Sequence, residues 1–286
     1  MRPEVKRVAH SVSRTVGRAS HHGRLLPSFM IIGAQRSGTT SLYRTLSRHP
    51  MILKPVLHKG IHYFDVDYTR GMSWYRAHFP LTATGRRIER RYGARPLAFE
   101  ASPYYLFHPL APARIAADLP GVKLIVLVRD PVERAYSAHA HEVARGFESE
   151  TFVRALDLEA ERLSGQVARI SADAGYVSHA HRHQAYLARG RYADQLDRLL
   201  PHFGEERIHV VDSGRLFHDP EPVYDRILEF LGLPRLCDPV LPRLNARSRV
   251  AMPPWLRVAL SAHFQPSDER LCAWLGGVPS WRRTDP

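Results

Sequence analysis

The stretch that decides the fold is Gly33-Ala34-Gln35-Arg36-Ser37-Gly38-Thr39-Thr40. The apolar run Phe29-Met30-Ile31-Ile32 precedes it and predicts a buried strand, and Leu42 and Leu46 follow it at helical spacing. A glycine-rich turn between a strand and a helix lets successive backbone N–H groups face one point, and the helix dipole adds positive potential there. The stretch therefore predicts a cradle for a phosphate-like anion, and the alternative is a plain strand-to-helix turn.

The spacing of the two glycines matches the phosphate loop of nucleoside triphosphatases, but the cation lies elsewhere. In that loop a Lys follows the second Gly and reaches the terminal phosphates, and the next hydroxyl residue holds Mg²⁺. Here Thr39 takes the place of the Lys, and Arg36 supplies the charge from inside the loop. The predicted phosphate ligands come from the loop itself: Arg36, Ser37, Gly38, Thr39 and Thr40. We expect no metal ion at this site.

A second polar group follows the clearest strand of the sequence, residues 123–128. This run lacks polar alternation, which is typical of a parallel strand covered on both faces. Arg129 comes directly after it, where open α/β sheets bind their ligands, and Ser137 lies two turns along the helix that Asp130 and Pro131 begin. An Arg fork and a hydroxyl can together hold a second phosphate. The alternative for Arg129 is a solvated side chain or an ion pair.

Strands and helices alternate along the rest of the chain. We predict further strands over 97–99 and 207–211, and helices over 149–163, 176–200 and 220–231. This alternation predicts an α/β fold, a P-loop-like three-layer sandwich whose central, mostly parallel sheet is flanked by helices. Residues 1–27 carry six basic residues and one acidic residue without a continuous apolar core, so we expect a basic flexible tail there and one domain over 28–286.

Composition narrows the possible functions. The 286 residues include 41 Lys and Arg against 28 Asp and Glu, a formal charge of +13, and 44% are hydrophobic, which predicts a folded chain. No run approaches the length of a membrane-spanning helix. Because the only cysteines are Cys237 and Cys272, a disulfide scaffold is excluded and a reducing, cytoplasmic location is the simpler inference. Only four of the basic residues are Lys, so the positive charge can reflect an Arg-rich composition set by the bases of the genome. The alternative is that the charge serves to bind an anionic partner.

The two motifs at this separation resemble the sulfotransferases that use 3′-phosphoadenosine 5′-phosphosulfate, and in detail their heparan-sulfate-type branch and its bacterial relatives. The resemblance runs from about residue 28 to the C-terminus and includes residues 29–50, 61–65, 99–105, 124–137, 190–196 and 230–234. It implies an enzyme that moves a sulfuryl group by metal-free, in-line transfer to a hydroxyl or amine of an unidentified small-molecule, lipid or glycan acceptor. We also expect no nucleic-acid partner and no stable membrane insertion.

The resemblance also implies how the donor is held. Arg36 stands at the basic position that touches the bridging oxygen of the phosphosulfate, and residues 37–40 would wrap the 5′-phosphate. Arg129 and Ser137 would hold the 3′-phosphate. A basic loop that closes over the nucleotide in the family is matched by Arg247, Ser248 and Arg249.

The chain departs from the family pattern at the residue that deprotonates the acceptor. Heparan-type enzymes carry a catalytic Glu two residues before the histidine of the 61–65 segment, and Gly60 stands there. His62 becomes the first candidate base, because an imidazole titrates near pH 7, and Glu100 is the second. A structural role is the alternative for each. Ala101 replaces a family Lys that contacts sulfated glycan, which argues against a heparan-like acceptor.

A nucleotide-binding module of the same fold that has lost catalysis is the competing interpretation, and Gly60 and Ala101 favour it. Lys59 either assists the sulfate or lies on a solvated face. The sequence leaves the acceptor, the oligomeric state and the role of the basic tail undefined.

Overall fold

A five-stranded parallel sheet forms the centre of the computed structural model, which describes residues 20–242, 244 and 250–283. The strands are β1 (Phe29–Gly33), β2 (Ile52–Leu53), β3 (Leu97–Ala101), β4 (Lys123–Val128) and β5 (Ile208–Asp212). Their order across the sheet is β2-β3-β1-β4-β5, and every neighbouring pair is parallel. Because β1 and β4 are neighbours, the loops that follow them meet at the carboxyl edge of the sheet.

The two central strands are buried on both faces, as their apolar sequences predict. Every residue of β1 is buried, and in β4 only the first residue is partly exposed. Alternate side chains enter two different cores: Met30 and Val126 belong to one, and Ile31 and Leu127 to the other. This period of two is that of an extended strand, and it makes the sheet the middle of three layers. The predicted α/β sandwich is confirmed.

Helices connect the strands and cover the sheet. In chain order they are α1 (Thr39–Leu46), α2 (Met72–Arg76), α3 (Thr82–Tyr92), α4 (Ala111–Asp118), α5 (Pro131–Val143), α6 (Phe152–Asp157), α7 (Glu159–Leu163), α8 (Gln166–Ala172), α9 (His179–His183), α10 (Tyr192–Asp197), α11 (Ser213–His218), α12 (Pro220–Leu231) and α13 (Pro254–Leu275). Among the described residues, no helix is both long enough and apolar enough to cross a lipid bilayer.

The predicted strands and the helix over 220–231 agree with the structure, but two predicted helices are not continuous. The helix over 149–163 is interrupted at Leu158 between α6 and α7. The helix over 176–200 is wrong in its middle, since only α9, a short 3-10 turn and α10 are helical. The carboxylate of Glu159 accepts the backbone N–H groups of three consecutive residues, 186–188. These donors are therefore not available for a regular helix.

Residues 20–27, which the sequence assigned to the tail, pack against the domain. Arg24 is only 9% exposed, and its guanidinium donates to the carbonyl oxygen of Phe79 at 2.7 Å. The backbone N–H of Leu25 donates to the carbonyl oxygen of Pro80 at 2.9 Å. The packed domain therefore starts by residue 20, and residues 1–19 of the predicted tail lie outside the described residues.

The buried position of β4 predicts the cost of truncating it. We expect Leu127→Ala to lower the free energy of unfolding by ~2–5 kcal/mol, because a fully buried side chain leaves a cavity behind. Leu200→Ala removes the same atoms at a position that is 39% exposed, so its effect should stay within ~0.5 kcal/mol. Urea denaturation followed by circular dichroism measures both. Equal losses for the two variants would contradict the central position of β4.

Candidate active site

The loop between β1 and α1 turns sharply through two residues with left-handed backbone. Arg36 has a φ of 71° and Gly38 a φ of 89°. A glycine adopts this conformation without strain, and a Cβ at Gly38 would also lie 2.8 Å from the ring of Phe217. From the start of α11, Ser213 donates its hydroxyl to the carbonyl oxygen of Ser37 at 2.5 Å. Gly38 is therefore required both by the backbone conformation and by the close approach of Phe217.

The loop forms one wall of a cavity of about 530 Å³ at the carboxyl edge of the sheet. This volume lies within the range of about 300–1,000 Å³ that is usual for ligand pockets. The lining residues that follow the strands are 35–41 after β1, Pro103 after β3, Arg129 after β4, and Ser213 and Gly214 after β5. The others are Lys59, Ser137, His141, Phe217 and Leu244. The two predicted phosphate motifs therefore face one shared cavity.

The cavity is cationic. Arg36, Lys59 and Arg129 line it, and no Asp or Glu of the described residues does. Arg36 donates from Nε to Ser137 Oγ at 3.1 Å, and Arg129 donates to the carbonyl oxygen of Arg36 at 3.3 Å. At the other side of its guanidinium, Arg129 lies 3.7 Å from the carboxylate of Glu133. The predicted ligands of the two phosphate groups are thus linked to one another by hydrogen bonds.

Lys59 reaches the loop from the segment that precedes His62. Its Nζ donates to Thr39 Oγ1 at 3.2 Å and to Thr40 Oγ1 at 2.9 Å. Burial lowers the pKa of the ammonium group from 10.5 to about 7. Of the two roles that the sequence left open for Lys59, the solvated face does not fit these contacts.

His62 is partly exposed and is held by a buried carboxylate. Its Nδ1 lies 2.7 Å from Oδ2 of Asp65, and the side chains of His62 and Asp65 are 33% and 0% exposed. Burial lowers the pKa of His62, but the hydrogen bond and negative charge of Asp65 outweigh it, so the pKa lies above 6.5. His62 does not line the cavity itself. Its Nε2 lies 3.4 Å from the position that a Cβ on Gly60 would take, and Gly60 directly follows Lys59 in the chain.

Glu100 lies in the protein interior rather than at the cavity. It is fully buried, and its carboxylate accepts hydrogen bonds from the hydroxyls of Tyr75 at 2.8 Å, Tyr105 at 3.1 Å and Ser102 at 2.8 Å. The backbone N–H of Ile61 adds a contact at 3.4 Å. Burial raises the pKa of this carboxyl group. The prediction of Glu100 as an alternative base therefore does not fit its position, because Glu100 does not line the cavity and four protein donors engage its oxygens.

Two contributors to the site escaped the sequence analysis. Asp65 lies in the 61–65 segment, three residues after His62, and this spacing was the available signal that the two side chains form a pair. Arg189 gave no local signal: it lies in a 3-10 turn, far along the chain from Gln35, to whose side-chain oxygen it donates. It also donates to the carbonyl oxygens of His181 at 2.8 Å and Arg182 at 2.7 Å. Arg189 therefore connects the loop between β1 and α1 to α9 by hydrogen bonds.

The predicted basic loop cannot be placed relative to the cavity. Arg247, Ser248 and Arg249 lie outside the described residues. Over the part of the chain that the structure describes, no group of three or more His, Cys, Asp or Glu side chains is arranged to hold a metal ion.

Comparison with known proteins shows the family of this chain. The sequence model of one protein family, described as "Sulfotransferase domain", matches residues 26–246. Human heparan sulfate glucosamine 3-O-sulfotransferase 3B1 is 32% identical over 216 residues, which cover 74% of this chain and 47% of that protein. Human bifunctional heparan sulfate N-deacetylase/N-sulfotransferase 3 is 31% identical over 226 residues, which cover 77% of this chain and 23% of that protein. The chain thus spans less than half the length of either relative.

A solved structure extends the similarity to the fold. The crystal structure of a sulfotransferase from Alicyclobacillus acidocaldarius superimposes with a TM-score of 0.66 at 31% identity. The match covers 91% of this chain and 100% of that one.

The burial of Glu100 predicts a structural phenotype for its removal. We expect Glu100→Ala to lower the free energy of unfolding by at least ~2 kcal/mol, because it leaves several buried donors without an acceptor. Glu89→Ala, on the exposed face of α3, is the control and should leave stability within ~0.5 kcal/mol. Thermal and urea denaturation measure both variants. A Glu100→Ala protein with unchanged stability would restore Glu100 as a candidate base.

Proposed function

The chain belongs to the sulfotransferase domain family, and on that premise we propose that it transfers a sulfuryl group from 3′-phosphoadenosine 5′-phosphosulfate to an acceptor hydroxyl or amine. One observation carries the proposal: Arg36 and Arg129, the cations of the two phosphate motifs, line the same cavity together with Ser137. A donor with phosphates at both its 3′ and 5′ positions requires two linked anion sites. The glycine-lined loop and the cationic lining fit such a molecule.

Each end of the donor has its own ligands in this proposal. The 5′-phosphosulfate is held by Arg36, Ser37, Gly38, Thr39 and Thr40, and the 3′-phosphate by Arg129 and Ser137. When the acceptor oxygen or nitrogen bonds to sulfur, the bond from sulfur to the phosphate oxygen breaks and negative charge stays on the 5′-phosphate. Arg36 neutralises that charge, which is the main task of the protein in a transfer of this kind.

His62 is the proposed base. Because Asp65 accepts the proton on Nδ1, the lone pair of Nε2 is available to take a proton from the acceptor. Asp65 is a positioning residue, since it acts through the imidazole. Its second oxygen accepts the backbone N–H of Val66 at 2.7 Å, which fixes the carboxylate in place.

The acceptor belongs to the broad class of small molecules, lipids and glycans. The curated relatives are named for heparan sulfate, but Ala101 occupies the position at which the resemblance places a glycan-contacting Lys. A catalytically impaired nucleotide-binding module is the second candidate function, favoured by Gly60 at the usual position of the base. Screening hydroxyl and amine compounds with radiolabelled donor separates the two, because only the enzyme transfers label.

A metal-free mechanism and a cytoplasmic location complete the proposal. The P-loop-like cradle carries its cation as Arg36 instead of recruiting Mg²⁺ through a Lys-Ser/Thr pair. Cys237 and Cys272 are both free thiols, which a reducing compartment favours.

The two-site proposal predicts a specific nucleotide preference. 3′-Phosphoadenosine 5′-phosphate should raise the melting temperature more than 5′-AMP or ATP with Mg²⁺ at the same concentration. Arg129→Ala should lower the affinity for the bisphosphate by ~10-fold or more and leave the affinity for 5′-AMP nearly unchanged, because only the bisphosphate carries a 3′-phosphate. Arg90→Ala, an exposed Arg on α3, controls for net charge. Titration calorimetry measures the affinities, and an Arg129→Ala protein that keeps its preference would contradict the assignment.

The His62–Asp65 pair predicts a pH effect with a definite sign. Asp65→Asn removes the charge that raises the pKa of His62, so this pKa should fall and the rising limb of kcat/KM should move to lower pH. His62→Ala should abolish turnover and retain nucleotide binding. Asp67→Asn, which alters an exposed pair with Arg70, is the matched control.

NMR titration of the His62 ring gives the pKa without an acceptor, and the labelled-donor assay gives turnover. Full activity of His62→Ala, or an unchanged pKa in Asp65→Asn, would remove the assignment.

A further inference from the structure

Lys59 is a cation of the cavity that belongs to neither phosphate motif. It precedes Gly60, whose φ of 77° turns the chain toward the loop. Its Nζ contacts the hydroxyls of Thr39 and Thr40, the first two residues of α1. An ammonium group has three N–H donors, so one remains for a ligand that lies against these hydroxyls.

The surroundings of Lys59 do not supply a counter-charge. The charged or titratable groups that line the same cavity are Arg36 of the loop, Arg129 after β4 and His141 of α5. The ring centroid of Tyr43 lies 5.9 Å from Nζ, and His62 lies beside Gly60 in the segment of Lys59. No Asp or Glu of residues 20–242, 244 and 250–283 forms an ion pair with Nζ. Glu100 is engaged by Tyr75, Tyr105 and Ser102. The positive charge on Lys59 is therefore costly in the empty cavity.

We infer that Lys59 is a further ligand of the phosphosulfate end of the donor, and that it binds a proton when the nucleotide binds. The ligand identity in this inference rests on the proposed function. A bound 5′-phosphate supplies the negative charge that no neighbouring carboxylate provides to Lys59. The third N–H of Lys59 donates to an oxygen of this phosphate. Arg36 and Lys59 then hold the same end of the donor from two sides of the cradle.

The sign of the pH effect follows from the free and bound states. Burial lowers the pKa of Lys59 to about 7 in the free protein, and a nearby anion raises it. Between these two pKa values, binding takes up a proton, so affinity falls as pH rises, by up to about tenfold per pH unit. Below pH 7 Lys59 is already charged and this dependence disappears. An Arg at the same position stays charged throughout, so Lys59→Arg should remove it.

Titration calorimetry of the full chain with 3′-phosphoadenosine 5′-phosphate tests the inference. The number of protons taken up is measured at pH 8 in two buffers with different heats of ionisation. We expect the wild type to take up about one-half to one proton more than Lys59→Arg. Lys54→Arg makes the same substitution at an exposed Lys and should behave as the wild type. Since His62 and His141 are unchanged in both variants, the difference isolates Lys59.

A second variant covers the case in which Arg does not fit the site. Lys59→Met should bind the nucleotide at least about tenfold more weakly than the wild type at pH 6.5, and the two affinities should converge by pH 9. Tight binding with equal proton uptake in the wild type and Lys59→Arg would overturn the role of Lys59 and leave the donor site intact. Failure of the wild type to bind the bisphosphate would instead overturn the proposed function, and this inference with it.

Discussion

Like charges brought together in one cavity are the constraint on which the rest of the structure depends. Arg36, Lys59 and Arg129 come from three separate segments and converge where no carboxylate of the described residues lines the wall. Their mutual repulsion is offset in part: they donate to Ser137, to the hydroxyls of α1 and to a loop carbonyl, and Arg129 also lies 3.7 Å from the carboxylate of Glu133. An anion relieves this repulsion, so the cavity gains most from a ligand with phosphates at more than one position.

The two cationic motifs of the cavity could be predicted from sequence because their determinants are local. The loop between β1 and α1 is recognisable by its two glycines and its cluster of hydroxyl residues. Arg129 is recognisable by its position directly after an apolar strand. Parallel pairing then brings the two together, since β1 and β4 are neighbours and both end at the same edge. The general rule for ligand sites in open sheets was sufficient to place Arg36 and Arg129 in one cleft.

The candidate base could not be identified in the same way, because burial and long-range contacts separate the two candidates. The sequence favours His62 over Glu100 as the base but leaves both as candidates. Packing separates them: Tyr75 and Tyr105 enclose Glu100, whereas His62 keeps an exposed edge and gains Asp65 as a partner. Glu159 likewise breaks a predicted helix by accepting three backbone N–H groups from a distant turn. No periodicity in the sequence encodes such contacts.

Gly60, where the family pattern has a Glu, bears on both His62 and Lys59. Its left-handed φ of 77° favours glycine, so a Glu there would be strained, and a Cβ would lie in van der Waals contact with Nε2 of His62 at 3.4 Å. A carboxylate beside Lys59 would also hold that ammonium group in its charged form. Under the proposed role of Lys59, its charge state follows the ligand instead of a neighbouring residue. In the proposed mechanism, Gly60 leaves His62 as the base and leaves Lys59 without a carboxylate partner, so an anionic ligand completes the electrostatics of the site.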